Sequence, residues 1–256
     1  MRFLSKIGHR LDFSIVELEI KEAKALYKDT PHEEILSKAM TDEVAIAKMM
    51  ILHEISRIAW TKEKSPRFAL ISAQMVQLTC KYGVTTHSPV CFSGFGAALC
   101  VLNEFELART IGKFITALIE RTNTIESVPP SIMAVYTYIH PSFHSIHESL
   151  DHILVAFEKF RELGSLDGCR IALYTHISFG FEGGKYLPNL IEEFENFTDA
   201  IPVIPKFMFA INQAILNLCG ESAGNPAVLS GDAYDFNSCF DGTPSDPNNA
   251  ILGLCR

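Results

Sequence analysis

Three apolar stripes, each at helical spacing and about forty residues from the next, constrain this chain more than any other feature. Leu107, Ile111, Phe114, Ile115, Leu118 and Ile119 fall at i, i+4, i+7, i+8, i+11 and i+12. Ile146, Leu150, Ile153, Leu154 and Phe157 repeat the pattern, and Leu187, Leu190, Ile191 and Phe194 give a shorter version. Each stripe predicts a helix with one buried face. Ahead of each lies a second segment, apolar around more of its circumference: about Pro89 to Leu102, Ser131 to Ile139 and Asp167 to Phe179. A helix apolar on several faces must be covered on several faces. Inner and outer helices alternating at this period predict an α-solenoid. Strand signals are scarce, since no run sustains apolar/polar alternation and no Asn-Gly or Asp-Gly turn joins such runs. The expected fold class is all-α, an α-α superhelix of antiparallel helix pairs.

Composition supports a packed core and narrows the partners. Of 256 residues, 48% are hydrophobic, enough to argue against wholesale disorder. The 22 Lys and Arg against 30 Asp and Glu leave a net charge of -8, which disfavours a broad phosphate-binding surface and hence a nucleic-acid partner. The longest uncharged stretch runs from Val84 to Asn103, but its apolar part, Val90 to Leu102, is interrupted by Ser93, Gly94 and Gly96. A membrane-spanning helix needs about 20 predominantly apolar residues, so this stretch predicts a buried helix and no membrane partner. Seven cysteines, an odd number without a C-x-x-C pair, predict reduced thiols and a cytoplasmic location. The apolar start of the chain is broken by Lys6, His9 and Arg10, which does not fit a signal peptide.

Start and stop signals divide the chain. Residues 1–40 read as a helical lead-in: one helix over Phe13 to Tyr27, then a shorter one from Pro31-His32-Glu33-Glu34. Residues 41–220 read as the repeat domain. Its first helix starts at Thr41-Asp42-Glu43, a capping hydroxyl and two acids at the positive end of a helix dipole, with Ile51, Ile55 and Ile58 at helical spacing. Ser65-Pro66 and Ser88-Pro89 are further starts, and Gly83 stops the helix that ends near Lys81. Residues 221–256 form a loop-rich tail with Gly231-Asp232, Asp241-Gly242 and Pro244-Ser245-Asp246-Pro247, and Ile251 to Leu254 is too short for another repeat.

His140, His144, His147 and His152 fall close together, with Glu148 and Asp151 among them. A helix beginning near His144 would place His144, His147, Glu148, Asp151 and His152 on one face, so a metal-dependent enzyme using His144, His147, Glu148 and His152 is one reading. No H-E-x-x-H is present, and a solvated face opposite Ile146, Leu150 and Ile153 explains the same residues without a metal. Gly180 to Lys185 lacks the phosphate-loop pattern, with Phe179 and Tyr186 at required positions, and reads as an interhelical turn. Gly94 and Gly96 read as small residues admitting a close neighbour. Ser72, Ser93 and Ser178 lie within helices, and no nucleophile elbow is present. Glu192, Glu193 and Glu195 read as a solvated face.

Several short blocks, in order, carry a family resemblance. They are Gly8-His9-Arg10-Leu11-Asp12-Phe13, Thr30-Pro31-His32-Glu33-Glu34-Ile35-Leu36, Met40-Thr41-Asp42-Glu43, Lys81-Tyr82-Gly83 and Gly94-Phe95-Gly96-Ala97-Ala98-Leu99-Cys100. The chain resembles the tetratricopeptide-like region that follows the AAA-type ATPase module in multidomain serine/threonine kinase and sensor histidine kinase proteins. Phe92, Phe95, Gly96, Leu99 and Ala108 stand where that repeat has large, large, small, large and small residues, whereas Gly112 and Ile115 depart from it. The resemblance implies a non-catalytic scaffold, without cofactor or metal, that holds a protein or peptide on a concave surface. The partners it implies include the ATPase or kinase modules of that family. Tyr136, His140, Tyr174 and His176 are the expected groove residues, acting by hydrogen bonding and stacking.

Overall fold

The computed structural model describes residues 13–62, 66–122, 124–199, 201, 204, 206–221, 225–231 and 233–234. Residues 8–12, Ser65, Asp232, Cys239, Cys255 and the tail motifs beyond 234 lie outside them. The described residues hold helices and no strand. They are α1 (Phe13–Asp29), α2 (His32–Ser37), α3 (Glu43–Lys62), α4 (Pro66–Tyr82), α5 (Ser88–Val101), α6 (Phe105–Thr122), α7 (Val128–Ala134), α8 (His147–Glu162), α9 (Leu166–Glu182), α10 (Leu187–Asp199) and α11 (Lys206–Cys219). A π turn (Val135–Ile139) and a 3-10 turn (His140–Ser142) follow α7. Pro141 helps end that helix, because it has no N–H to offer the carbonyl of Thr137.

The chain forms two compact units, divided between Phe143 and His144. The described part of the expected lead-in, residues 13–40, belongs to the first unit. Val16, Ile20, Ala23, Tyr27 and Ile35 are buried in the same core as Phe92, Phe95 and Leu118. α1 and α3 both pack on α4, α4 packs on α5, and α5 packs on α6 and α7. This explains why α5 is apolar all round: Cys91 to Leu99 are buried without a break. Gly94 lets Phe68 and Ser72 of α4 approach, and Gly96 lets Ile139 approach; an added Cβ would lie 2.7 Å and 2.5 Å from Phe68 and Ile139. At the centre, Phe92 meets Tyr27 and Phe114 at ring separations of 5.7 Å and 5.2 Å, joining α1, α5 and α6.

α3 departs from expectation in its orientation. Its inner face is built from small or flexible residues, Ala45, Met49, Ser56 and Ala59, which let it close on α4. Ile51, Ile55 and Ile58, together with Val44, are turned to solvent, with 45–64% of their surface exposed. Asp42, rather than the expected Thr41 hydroxyl, caps this helix, its Oδ1 accepting from the Ala45 N–H at 2.7 Å.

In the second unit, α8 packs on α9, α9 on α10, and α10 on α11. The stripes face inward as expected: Leu150, Ile153 and Phe157 of α8 and Leu190, Ile191 and Phe194 of α10 are buried. The segment ahead of the α8 stripe, α7 with its π turn, packs on α5 in the first unit, while α9 closes the α8 seam. Gly168 makes that closure possible, since a Cβ there would lie 2.2 Å from the Phe160 ring. Of the expected turn Gly180 to Lys185, the first three residues close α9 and the turn proper begins at Gly183, with Gly184 at φ 75°. After α11, the irregular residues 225–231 and 233–234 are held by side chains. Gln213 Oε1 accepts from the Ala233 and Tyr234 N–H groups, and Asn217 Nδ2 donates to the Pro226 and Val228 carbonyls.

Cys80, Cys91, Cys100, Cys169 and Cys219 are free thiols. Burial pushes Cys80 up to about 12 and Cys91 higher still, so both are poor nucleophiles. No described helix is long and apolar enough to cross a membrane.

Candidate functional site

The four expected groove residues divide between the two units. Tyr136 and His140 lie in the first unit, half-buried, with ring centroids 5.1 Å apart across the π turn. Tyr174 and His176 lie on α9 in the second unit and face differently. Tyr174 is exposed, whereas His176 is 1% exposed and therefore does not reach an external partner. Its Nε2 lies 3.1 Å from Glu193 Oε2, and Lys185 Nζ donates to both oxygens of that carboxylate at 2.6 and 2.8 Å. Burial lowers the His176 pKa against the opposing pull of Glu193. Burial pushes Glu193 upward, but its bonds to Lys185 and His176 outweigh this and hold it below the usual carboxylate value. Glu193, expected on a solvated face, is thus the hub of a half-buried network.

The histidine cluster is also rearranged. α8 begins at His147, so His144 precedes the helix. His144 Nδ1 lies 3.5 Å from Glu148 Oε2. The His147 ring leans instead on Gly183 at the α9–α10 turn, where a Cβ would lie 3.3 Å from its Cδ2. No three of His144, His147, Glu148 and His152 bring ligand atoms within 4.8 Å of one another. All four are exposed.

Two constellations had no local sequence signal. His53 on α3 and His87 before α5 stack at 4.3 Å, with interplanar angle 24°. Burial lowers both pKa values, and for His53 the facing His87 and Arg57 add to the effect while Glu54 opposes it. His32 is lowered by burial as well. These three and His176 give a common sign. An unfolded chain takes up protons near the ordinary value of 6.5, whereas the folded chain resists until the pH is lower. Stability is therefore expected to fall as the pH drops below about 6.5. Melting curves at stepwise lower pH should show a falling Tm, and His87→Phe, which keeps a ring in the stack, should flatten the slope. A Tm that holds level or rises on acidification contradicts this.

The second constellation is a cleft of about 510 Å³ between α2 and α6, lined by His32, Leu36, Glu106, Arg109, Lys113 and Phe114, with Thr110 and Ala117. The cleft is braced at both ends. Arg121 Nε donates to the Leu36 carbonyl at 3.0 Å, and the His32 ring lies 4.4 Å from Phe114. Arg109 and Lys113 sit one turn apart on the outward side of a stripe helix, a spacing visible in sequence, but nothing there indicates that α2 would face them.

The chain matches no protein-family model, no curated protein and no solved structure.

Proposed function

We propose that the chain is a non-catalytic helical-repeat scaffold for protein–protein interaction, of tetratricopeptide-like type. The proposed context is cytoplasmic, as the regulatory part of a signalling ATPase or kinase whose catalytic modules lie outside this chain. One observation carries the reading: Val44, Ile51, Ile55 and Ile58 form an uncovered apolar seam along α3, at i, i+7, i+11 and i+14. Exposed branched apolar residues in a continuous row mark an interaction face rather than ordinary surface scatter. The 3–4 alternation of Ile51, Ile55 and Ile58 is the spacing at which an amphipathic helix lays its own apolar face. Lys48 lies on the same seam between Val44 and Ile51, which favours a partner helix with an acidic residue opposite it.

The test is selection of binders to the immobilised full chain from a random-peptide display library. Selected peptides are expected to carry apolar residues at helical spacing. They should lose at least about tenfold in affinity for the Ile51→Asp/Ile55→Asp variant, since each substitution sets a charge in the contact. Failure to select any saturable binder, or binders indifferent to that variant, overturns the reading. In-frame ATPase and kinase modules beside this chain's gene would support the signalling context.

A further inference from the structure

The α2–α6 cleft combines an apolar floor with unpaired positive charge. Leu36, Phe114 and Ala117 supply the floor. Arg109 is held over the Phe143 ring, its Cζ 5.2 Å from the centroid, which orients the guanidinium without neutralising it. Neither Arg109 nor Lys113 has a carboxylate within 4.0 Å among the described residues. Glu106 is the acid in the lining. With His32 neutral, two cations and one anion leave the cleft with a single net positive charge, on a chain whose net charge is -8.

We propose that this cleft binds a small amphiphilic monoanion, a carboxylate or sulfonate head on an aromatic or alkyl body. The head sits between the Arg109 fork and the Lys113 ammonium, where the donors are charged. The body lies on Leu36 and Ala117, half-buried apolar surface above the buried Phe114 that an inorganic anion would leave wet. The volume lies within the roughly 300–1,000 Å³ of ordinary small-molecule sites, and the bracing by Arg121 and His32 makes the site preformed. The single net charge sets the charge of the ligand: a second negative charge would face Glu106.

The experiment is a fluorescence titration of the full chain with anilinonaphthalene sulfonate. One saturable site is expected, emptied by decanoate but not by inorganic phosphate or decylamine. Arg109→Ala/Lys113→Ala should weaken binding at least about tenfold. Both side chains are exposed, so the fold should survive, which an unchanged circular dichroism melt would verify. Glu106→Gln should tighten binding by removing the opposing charge. Ile51→Asp/Ile55→Asp should leave it unchanged, which separates this site from the α3 seam. The proposal is overturned by non-saturable binding, by full affinity in the Arg109/Lys113 variant, or by phosphate competing as well as decanoate.

Discussion

Phe92→Ala is expected to cost about 3–5 kcal/mol, the range for removing a large aromatic from a packed core. Phe92 is fully buried and its ring touches two others, Tyr27 from α1 and Phe114 from α6. Truncation therefore opens a cavity where three helices meet. Collapse into it is resisted because Tyr27 is stacked on His32 and both rings also contact Phe114. Urea unfolding followed by fluorescence of Trp60, the chain's single tryptophan, reads the loss. Leu102→Ala is the control: Leu102 is 48% exposed, and its change should stay within about 0.5 kcal/mol. A loss below about 1 kcal/mol for Phe92→Ala would show that the α1–α5–α6 junction is not the core described.

Gly83→Ala is expected to cost about 3 kcal/mol, an unusual amount for adding one methyl group. Two causes act together. Gly83 has φ 109°, a conformation that side-chain-bearing residues adopt only at a cost of about 1–3 kcal/mol. A Cβ there would also lie 2.5 Å from the Lys38 carbonyl oxygen, and that atom is backbone rather than a flexible side-chain end. Lys38 cannot retreat freely, because its carbonyl accepts from the Val84 N–H at 2.7 Å and the Met40 N–H donates to the Val84 carbonyl at 3.0 Å. This bridge ties the segment after α2 to the turn between α4 and α5. The same urea titration reads the effect, with Gly184→Ala as comparison: Gly184 also has positive φ, but a Cβ there meets nothing within 4 Å. Equal losses at the two positions would remove the steric part of the argument.

Much of the helical skeleton was readable because it rests on local chemistry. Asp42 and Ser88-Pro89 mark starts, Gly83 a stop, and the three stripes turn inward as their spacing requires. Gly94 and Gly96 were readable as packing residues, because in an otherwise apolar helix a missing side chain means that a neighbour fills the space. The sites were not readable in the same way. His176 and Tyr174 are two residues apart, a separation that on a helix turns one inward and the other outward, yet only the placement of α8 and α10 decides which is which. Ile51, Ile55 and Ile58 look like a core stripe, but the face beside them, with Ala45, Met49, Ser56 and Ala59, allows a closer approach to α4 and took the buried position.

What the amino-acid sequence determined by itself is therefore most of the helices, several of their limits and most of their apolar faces. Capping, helical periodicity and glycine conformation act within a few residues. Which helix closes which seam was decided by tertiary structure. α9 covers the α8 stripe, and α2 comes to wall a cleft on α6. Such choices depend on the fit of distant surfaces, as of Phe160 to Gly168 or the Leu36 carbonyl to Arg121, and no local spacing carries that information.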